Sequence, residues 1–445
     1  GIYLYFRNGG NIPEDIKAAI GVMGGQVATH LEYYRPGQTG NHAFNNARAL
    51  LFTGVFASLP VAVDIAYAIA LERLPNLVSE DGFMREGSSH YHFLFTRWVL
   101  EMLWISKVHQ CQKFIQLLEP YATSLVEKCW FFLVRSESTS QWSIPLIGDI
   151  SPDYSPEWLV SLPWSKLACE YWSPEKLPEA PNDLGWANLF GILSAKDKFR
   201  SPAQTIFPSS GWYRFDCFGW TLIFRAESFS GKLATTHKHH DLCSFVLFLK
   251  GEVLLLDCGR VDYTKSGLSN YGKSWRSHNS LCIDGLSPSA DGATWFSSIY
   301  SACHVEVTMT NGNDFLEVAL VHDGFARLAT GTCLHRRVFT LRDNSFEIRD
   351  DFNISSPIIA NIIFHFEKGQ NFNLETDSTF IAADKSKYFK PDHYASVSSI
   401  VNGRDPPFGG IYSRAYGELE PCQTLEFKYE LNSSRVIRHS IVLES

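Results

Sequence analysis

At about residue 201 the hydrophobic period of this 445-residue chain changes, and that change constrains the fold more than any single motif. Before it, apolar residues recur at three- and four-residue steps in long segments, 41–59, 61–74, 89–107 and 111–135. In the third of these Tyr91, Phe95, Trp98 and Met102 share one stripe, and Ser88 or Ser89 is placed to cap it after the loop Glu80-Asp81-Gly82. Beyond residue 201, short β-branched and aromatic runs alternate with turn signals, at 219–227, 244–249, 252–257, 303–310 and 315–321. Lys250-Gly251, Asn311-Gly312-Asn313 and Arg342-Asp343-Asn344 mark hairpin turns. A helical half followed by a strand-only half predicts an α+β multidomain protein, all-α and then an antiparallel β-sandwich, jointed at 195–202. The expected domains are 1–196 and 201–445.

Charge narrows the partners. Lys and Arg number 39 against 47 Asp and Glu, a net charge of −8, so no overall positive field gathers nucleic acid, and any polyanion must meet a local basic cluster. The longest apolar run, 49–71, is interrupted by Pro60 and Asp64, which predicts two buried helices and no membrane span. Twelve Trp fit a sugar-binding cleft, but a large core is the better reading of them. Ten cysteines without a CxxC pair read as free, buried small hydrophobes, which speaks for a reducing compartment unless some are disulfides. The start at Gly1, with neither Met nor a signal-like segment, is expected of a trimmed chain, and no targeting segment is readable.

Three segments carry chemistry. In His237-Lys238-His239-His240-Asp241-Leu242-Cys243-Ser244-Phe245, the i, i+2 spacing of an extended chain puts His237 and His239 on one face. His239, Asp257 and His278 offer an N, O, N ligand set suited to Zn2+; histidines hydrogen-bonded within a sheet are the plainer explanation. In the run from Asn41 to Arg48, Asn41, Asn45 and Arg48 form a polar stripe that either bonds neighbouring loops or, with His42, binds a substrate carboxylate. The run Asp81 to His92 is a charged loop entering a helix N-terminus, where backbone N–H groups favour anions. Tyr91 there is either a core aromatic or a proton carrier, and as a base it needs its pKa lowered below ~10 by positive charge. Lys232, Lys238, Arg260, Lys265, Lys273 and Arg276 are the local positive patch.

Together, in this order, these segments resemble the heparinase II/III-like family of polysaccharide lyases, most closely at HKHHDLCSF, LLLDCGRVDY, RSHNSLCIDG and DGFMREGSSHYH. The resemblance implies an N-terminal (α/α) toroid on an antiparallel β-sandwich with the active site between them; the helical side is short, which implies an incomplete toroid or further N-terminal helices. It implies β-elimination next to a uronic acid, with C5 proton abstraction and departure of the C4 oxygen. Asn41 and His42 match the pair that meets the uronate carboxylate, although Gly40 stands where many members have Asn. Tyr91 and His237 match the acid and base candidates, and Tyr263 and Tyr271 fall where some relatives place a further Tyr. Arg48, Arg85, Glu86 and Arg276 are further substrate-binding candidates. His239, Asp257 and His278 match the ligands of a structural zinc, with no organic cofactor. Cys258 and His240 depart from the pattern. The implied partner is an acidic polysaccharide or oligosaccharide, carboxylated more than highly sulfated, such as alginate or a bacterial capsule or exopolysaccharide. A periplasmic or secreted site follows from the family, while the cysteines leave a cytoplasmic one open.

Three other classes compete. A glycoside hydrolase would use two of Asp81, Glu86 and Asp241. A non-catalytic polysaccharide-binding or assembly protein would keep only the fold. An iron oxygenase would use the trio of His239, Asp257 and His278.

Overall fold

The computed structural model describes residues 12–33, 40–139, 142–152, 205–228, 237–288, 303–326, 328, 334–375, 379–401 and 408–444. The chain is helical first and then antiparallel β, an α+β protein. The helices are α1 (Glu14–Thr29), α2 (Asn41–Phe56), α3 (Pro60–Leu77), α4 (Ser89–Val108) and α5 (Gln112–Phe132), with a short α6 (Gly267–Lys273) inside the half expected to be strands alone. Pro60 opens α3 at its first turn, where a missing N–H costs nothing, so the long apolar run does split in two. No described helix is long and apolar enough to cross a membrane. Helix α1 was not singled out in the sequence because Val22 and Met23 lie exposed and blur its apolar face. The expected 111–135 helix ends at Phe132, and the chain then runs extended, with short strands Val134–Arg135 and Trp142–Ser143 paired. The expected joint, 195–202, lies outside the described residues, as do Cys169, Lys232 and Cys333.

Helix α4 is buried on nearly every side, so the expected single stripe is replaced by a central helix. Ser88 caps it, accepting from the Tyr91 N–H at 3.1 Å. The loop before it is braced by His92, whose Nδ1 accepts from the Met84 N–H at 3.2 Å while Nε2–H donates to the Leu125 carbonyl. Burial pushes the pKa of His92 down to about 3, so the ring serves as a neutral bracket.

Two antiparallel sheets follow. One runs, edge to edge, Phe372–Leu374, Phe380–Ala382, Lys387–Lys390, Arg435–Leu443, Ser345–Asn353, Leu334–Arg342, Leu316–His322, Val305–Asn311. The other runs Val397–Val401, Gln423–Leu431, Ile358–Phe366, Glu252–Leu255, Phe245–Leu249, Trp220–Arg225, Trp212–Cys217, Ile206–Phe207, with Leu281–Ile283 also paired to Ile358–Phe366. Alternation along the second sheet sorts side chains between two cores. Tyr213, Phe215, Leu222, Phe224, Phe245 and Leu247 face the first sheet, whereas Trp212, Ile223, Val246 and Phe248 face the helices. The molecule is therefore layered helix, sheet, sheet, and these strands read as unbroken apolar runs because both their faces are covered.

The layers are tied by more than apolar contact. Arg214 Nη1 donates to the Phe131 and Leu133 carbonyls, both at 2.8 Å, satisfying the orphan end of α5 with a cation from the sheet. The Lys250-Gly251 turn does form a hairpin, with both residues at positive φ, and its Lys250 carbonyl accepts from the Glu137 N–H. Within the first sheet Arg337 faces Asp350 across the strand pair; the two are fully buried and bonded at 2.7 and 3.0 Å. Arg337 Nη1 also donates to the carbonyls of Cys243 and Asn279, so the pair anchors the segment that carries His278.

Candidate functional site

The site forms where three segments meet. The N-terminus of α4 supplies Tyr91, the extended segment after α5 supplies Asp149, and the histidine-rich turn before Phe245–Leu249 supplies His237 and His239. Gly148 is the closest approach. Its φ is +81°, and a Cβ there would stand 2.8 Å from the carbonyl oxygens of Gly87 and His237, so only glycine lets the three backbones close. The Ser88 hydroxyl donates to the Asp149 carbonyl at 2.7 Å, and the Asp149 N–H donates to the His237 carbonyl at 3.1 Å.

Asp149, 1% exposed, organises the cluster. Its Oδ2 accepts from His237 Nδ1–H at 2.9 Å, its Oδ1 from His239 Nε2–H at 2.8 Å, and both from Arg260 Nη1 at 3.2 and 3.3 Å. Burial alone would raise its pKa, but the hydrogen bonds and positive charge of the two imidazoles hold it well below the usual carboxylate range. The His237 ring lies on the Tyr91 ring, centroids 3.7 Å apart and planes at 19°. On its other side His237 Nε2 faces Glu86 Oε2 at 3.3 Å. Glu86 accepts from Asn41 Nδ2 at 2.6 Å and from the Asn41 N–H at 3.1 Å. Burial pushes the Glu86 carboxyl up, against the lowering by His237 and Asn41.

The Tyr91 and Tyr263 hydroxyls are 2.7 Å apart. Tyr263 donates to the Ile150 carbonyl at 3.1 Å, so Tyr91 is the donor between the two phenols. Burial raises the pKa of both phenols, and the Asp149 charge adds to it. That is opposite to the lowered value a tyrosine base requires: in this state Tyr91 holds its proton. Tyr263, 36% exposed, is the member that opens to solvent.

Other candidates lie elsewhere. His42 is exposed and paired with Glu32 at 3.0 Å, so of the Asn-His pair only Asn41 joins the cluster. Arg48 is bound by Asn45 and Glu101 and stacks on Trp98. Arg276 is held by Glu426 at 2.8 and 3.1 Å. Tyr271 is buried against Cys258 and Phe408. Arg85 is half-buried, and its charge acts on Glu227. Three of the five described members of the expected positive patch are neutralised, Lys238 by Glu227 at 2.7 Å, Arg260 by Asp149 and Arg276 by Glu426. Among the hydrolase candidates, Asp81 accepts from Ser210 at 2.9 Å and Asp241 is buried.

Asp149 is a member of the site that the sequence analysis does not single out. The only signal was a Gly-Asp pair in an apolar stretch ahead of the β half, and nothing in it tells which histidines 88 and 90 residues later it will meet.

The trio of His239, Asp257 and His278 is brought together, buried, with one ligand atom from each within 4.8 Å of the others. His278 Nδ1–H donates to Asp257 Oδ2 at 2.7 Å, and His239 Nδ1 is buried without a hydrogen-bond partner. An imidazole held by a carboxylate through one nitrogen, with the other bare and facing a second His and an Asp, fits a metal ligand.

The family pattern described as heparinase II/III-like, C-terminal, matches residues 200–439. No curated protein matches. Among solved structures, a heparinase III gene product has a TM-score of 0.66 at 15% identity, covering 94% of this chain and 61% of its own. The heparan sulfate lyase HepC from Pedobacter heparinus has a TM-score of 0.62 at 16% identity, covering 95% and 62%. The Streptomyces coelicolor A3 chondroitin AC lyase, solved with chondroitin sulphate, has a TM-score of 0.51 at 11% identity, covering 97% and 66%. At these identities the likeness is one of fold, and this chain spans about three fifths of the length of the first two. With more than half of its residues matched by the family pattern, the chain belongs to the heparinase II/III-like family of polysaccharide lyases.

Proposed function

We propose that the protein is a polysaccharide lyase that cleaves a uronic-acid-containing polymer by β-elimination at the cluster of Tyr91, His237 and Glu86. One observation carries the reading: a phenol from the helical part and an imidazole from the sheet part are stacked with centroids 3.7 Å apart. Elimination needs a neutralised carboxylate, a base for the C5 proton and an acid for the leaving C4 oxygen. Asn41 and Glu86, whose carboxyl is biased toward its neutral form by burial, are positioned as donors to the uronate carboxylate. Asp149 fixes the proton of His237 on Nδ1, which leaves Nε2 to take the C5 proton once substrate replaces Glu86 there. Tyr91, holding its proton firmly, gives it to the C4 oxygen as the C4–O bond breaks and the C4–C5 double bond forms. The proton on His237 then returns to the phenolate stacked against it.

In the same reading, residues 1–196 form part of an (α/α) toroid and 201–445 a β-sandwich domain, with the site at their junction. His239, Asp257 and His278 would hold Zn2+, which would lock the histidine-rich turn in place and take no part in proton transfer. The substrate is carboxylated more than highly sulfated, because the basic side chains near the site are spent on Glu227, Asp149 and Glu426. Hydrolysis by two carboxylates is less well supported: Glu86 and Asp149 are occupied by the two nitrogens of a single imidazole, and do not face one another across a sugar-sized gap.

The test is ultraviolet absorbance of the conjugated product on a panel of uronate polymers, with wild type, Tyr91→Phe and His237→Ala side by side. Absorbance that grows with wild type and is absent in both variants is expected. New reducing ends without absorbance would overturn elimination in favour of hydrolysis, and retained turnover in Tyr91→Phe would overturn the assignment of the acid.

A further inference from the structure

We propose that Cys258, His365 and Cys422 form a metal site separate from the histidine-rich cluster, built for a thiophilic ion with Zn2+ as its natural occupant. The three are buried, and one ligand atom from each lies within 4.8 Å of the others. In a tetrahedral zinc site, bonds of about 2.3 Å to sulfur and 2.0 Å to nitrogen put neighbouring donors roughly 3.5–3.8 Å apart. The observed spacing reaches that by a small inward movement of side chains.

The histidine gives the independent indication. His365 is fully buried; its Nδ1 is engaged with Thr424 Oγ1 at 2.8 Å, and its Nε2 has no hydrogen-bond partner. A buried imidazole nitrogen left bare is destabilising unless something occupies it, and here it shares its pocket with two sulfurs. Soft sulfur and imidazole donors in an apolar setting select Zn2+ over the hard, oxygen-seeking cations. Leu256 and Tyr412 supply that setting, packing with both cysteines in a small core of their own.

The donors sit on pinned backbone. The Cys258 N–H donates to the Ser277 carbonyl at 3.0 Å and the Cys258 carbonyl accepts from the Ser413 N–H at 2.8 Å. The Cys422 N–H donates to the Gly410 carbonyl, and the His365 N–H to Asn279 Oδ1 at 2.8 Å. The Tyr271 hydroxyl donates to Cys258 Sγ at 3.7 Å, a bond that a thiolate accepts better than a thiol. Consecutive residues of an extended segment point opposite ways, so Asp257 turns to His239 and His278 while Cys258 turns to this second pocket. Two thiols and one Zn2+ give two zinc–sulfur bonds and release two protons to solvent, with a water completing the tetrahedron.

A third cluster, Cys243, His322 and His335, shows what a pocket without a vacancy looks like. There the Gly324 N–H donates to His322 Nδ1, His322 Nε2–H donates to His335 Nδ1 at 2.9 Å, and His335 Nε2–H donates to Asp350 at 2.9 Å. Every ring nitrogen is spoken for, which is a hydrogen-bonded chain and leaves no donor for a metal.

The experiment uses Co2+ as a spectroscopic stand-in. The chain is stripped with chelator, loaded with Co2+, and its near-ultraviolet thiolate-to-cobalt charge-transfer band recorded. Wild type is expected to show the band, with loss of most of its intensity in Cys422→Ser and Cys258→Ser and retention in Cys243→Ser and His278→Ala. Zinc bound per chain should fall by one equivalent in Cys422→Ser. The wild-type spectrum decides without any variant: bound Co2+ with no thiolate band overturns the proposal, and so does a native mass two hydrogens light with Cys258 and Cys422 in one disulfide-linked peptide. A band that survives Cys422→Ser and disappears in Cys243→Ser overturns it equally.

Discussion

Tyr91 and His237 stack face to face at 3.7 Å, one from the first turn of a helix and the other from a turn feeding a sheet. Neither ring holds the other by a hydrogen bond. Each is oriented by a partner outside the stack, Tyr91 by Tyr263 and His237 by Asp149, so the chemistry of the pair is set by residues that need not touch substrate.

Tyr91→Phe keeps the stack and removes the proton. Turnover is expected to fall by about 10²–10⁴-fold, the usual contribution of a general acid, with the melting temperature little changed. Tyr263→Phe leaves the Tyr91 hydroxyl in place and removes its acceptor, together with the donor to the Ile150 carbonyl, so a smaller fall of about tenfold is expected, shown by product absorbance over time. Equal losses in the two would make Tyr263 a proton carrier as well.

Asp149→Asn preserves size but can accept from only one of the two imidazoles. The histidine facing the new NH2 group loses its partner, at a cost of about 1–3 kcal/mol. The depressed pKa of Asp149 means that its contribution to stability is present above the ordinary carboxylate pKa of ~3.9 and is lost as pH falls through the lowered value. Melting temperatures from pH 3 to 7 should therefore show a shallower acid limb in the variant than in wild type.

Glu86 runs the other way. Its raised pKa means that the native state favours its proton, so the stability it adds is full below ~4.3 and fades as pH rises through the raised value. Glu86→Gln, a permanent imitation of the neutral carboxyl, should flatten the stability profile on that alkaline side. A wild-type melting temperature that already shows no decline there would contradict the assignment.

Asp350→Ala leaves the Arg337 guanidinium buried without its carboxylate, and Cys243 and Asn279 offer it only carbonyls. A loss of about 3–5 kcal/mol is expected, read as a lower denaturant midpoint at unchanged m-value. The effect should reach the site, because the segment freed is the one that carries His278.

His278→Ala removes one donor of the proposed zinc trio and the partner of Asp257. Zinc content measured by mass spectrometry should fall by one equivalent per chain, and turnover by less than in Tyr91→Phe. A full loss of turnover with folding intact would give the metal a role in the chemistry.

How much of this was legible in the sequence depended on distance along the chain. Period and turn residues are local, so helices α2 to α5 and the hairpins could be read to within a few residues, with Pro60 and Lys250-Gly251 as clear punctuation. Tyr91, His237 and Asn41 came from motif likeness. His42, Arg48 and Arg276 share their motifs but meet Glu32, Glu101 and Glu426, partners that no local pattern announces. Asp149 was hidden for the same reason. A carboxylate that gathers histidines from the far end of the chain has no spacing of its own. Cys258, a departure without meaning beside Asp257 in the sequence, acquires one only when the strands bring it Cys422 and His365.

The glycine at 148 has a consequence for synthesis. Its three neighbouring backbones come from segments near 87, 148 and 237, and the last of these leaves the ribosome long after the first two. Until the histidine-rich turn arrives, Ser88 and Asp149 have one another but no imidazole to orient, and Tyr91 has nothing to stack on. On the proposed reading the emerging helical half lacks both the base and its stacking partner, so lyase activity should appear only once the β half has closed against it.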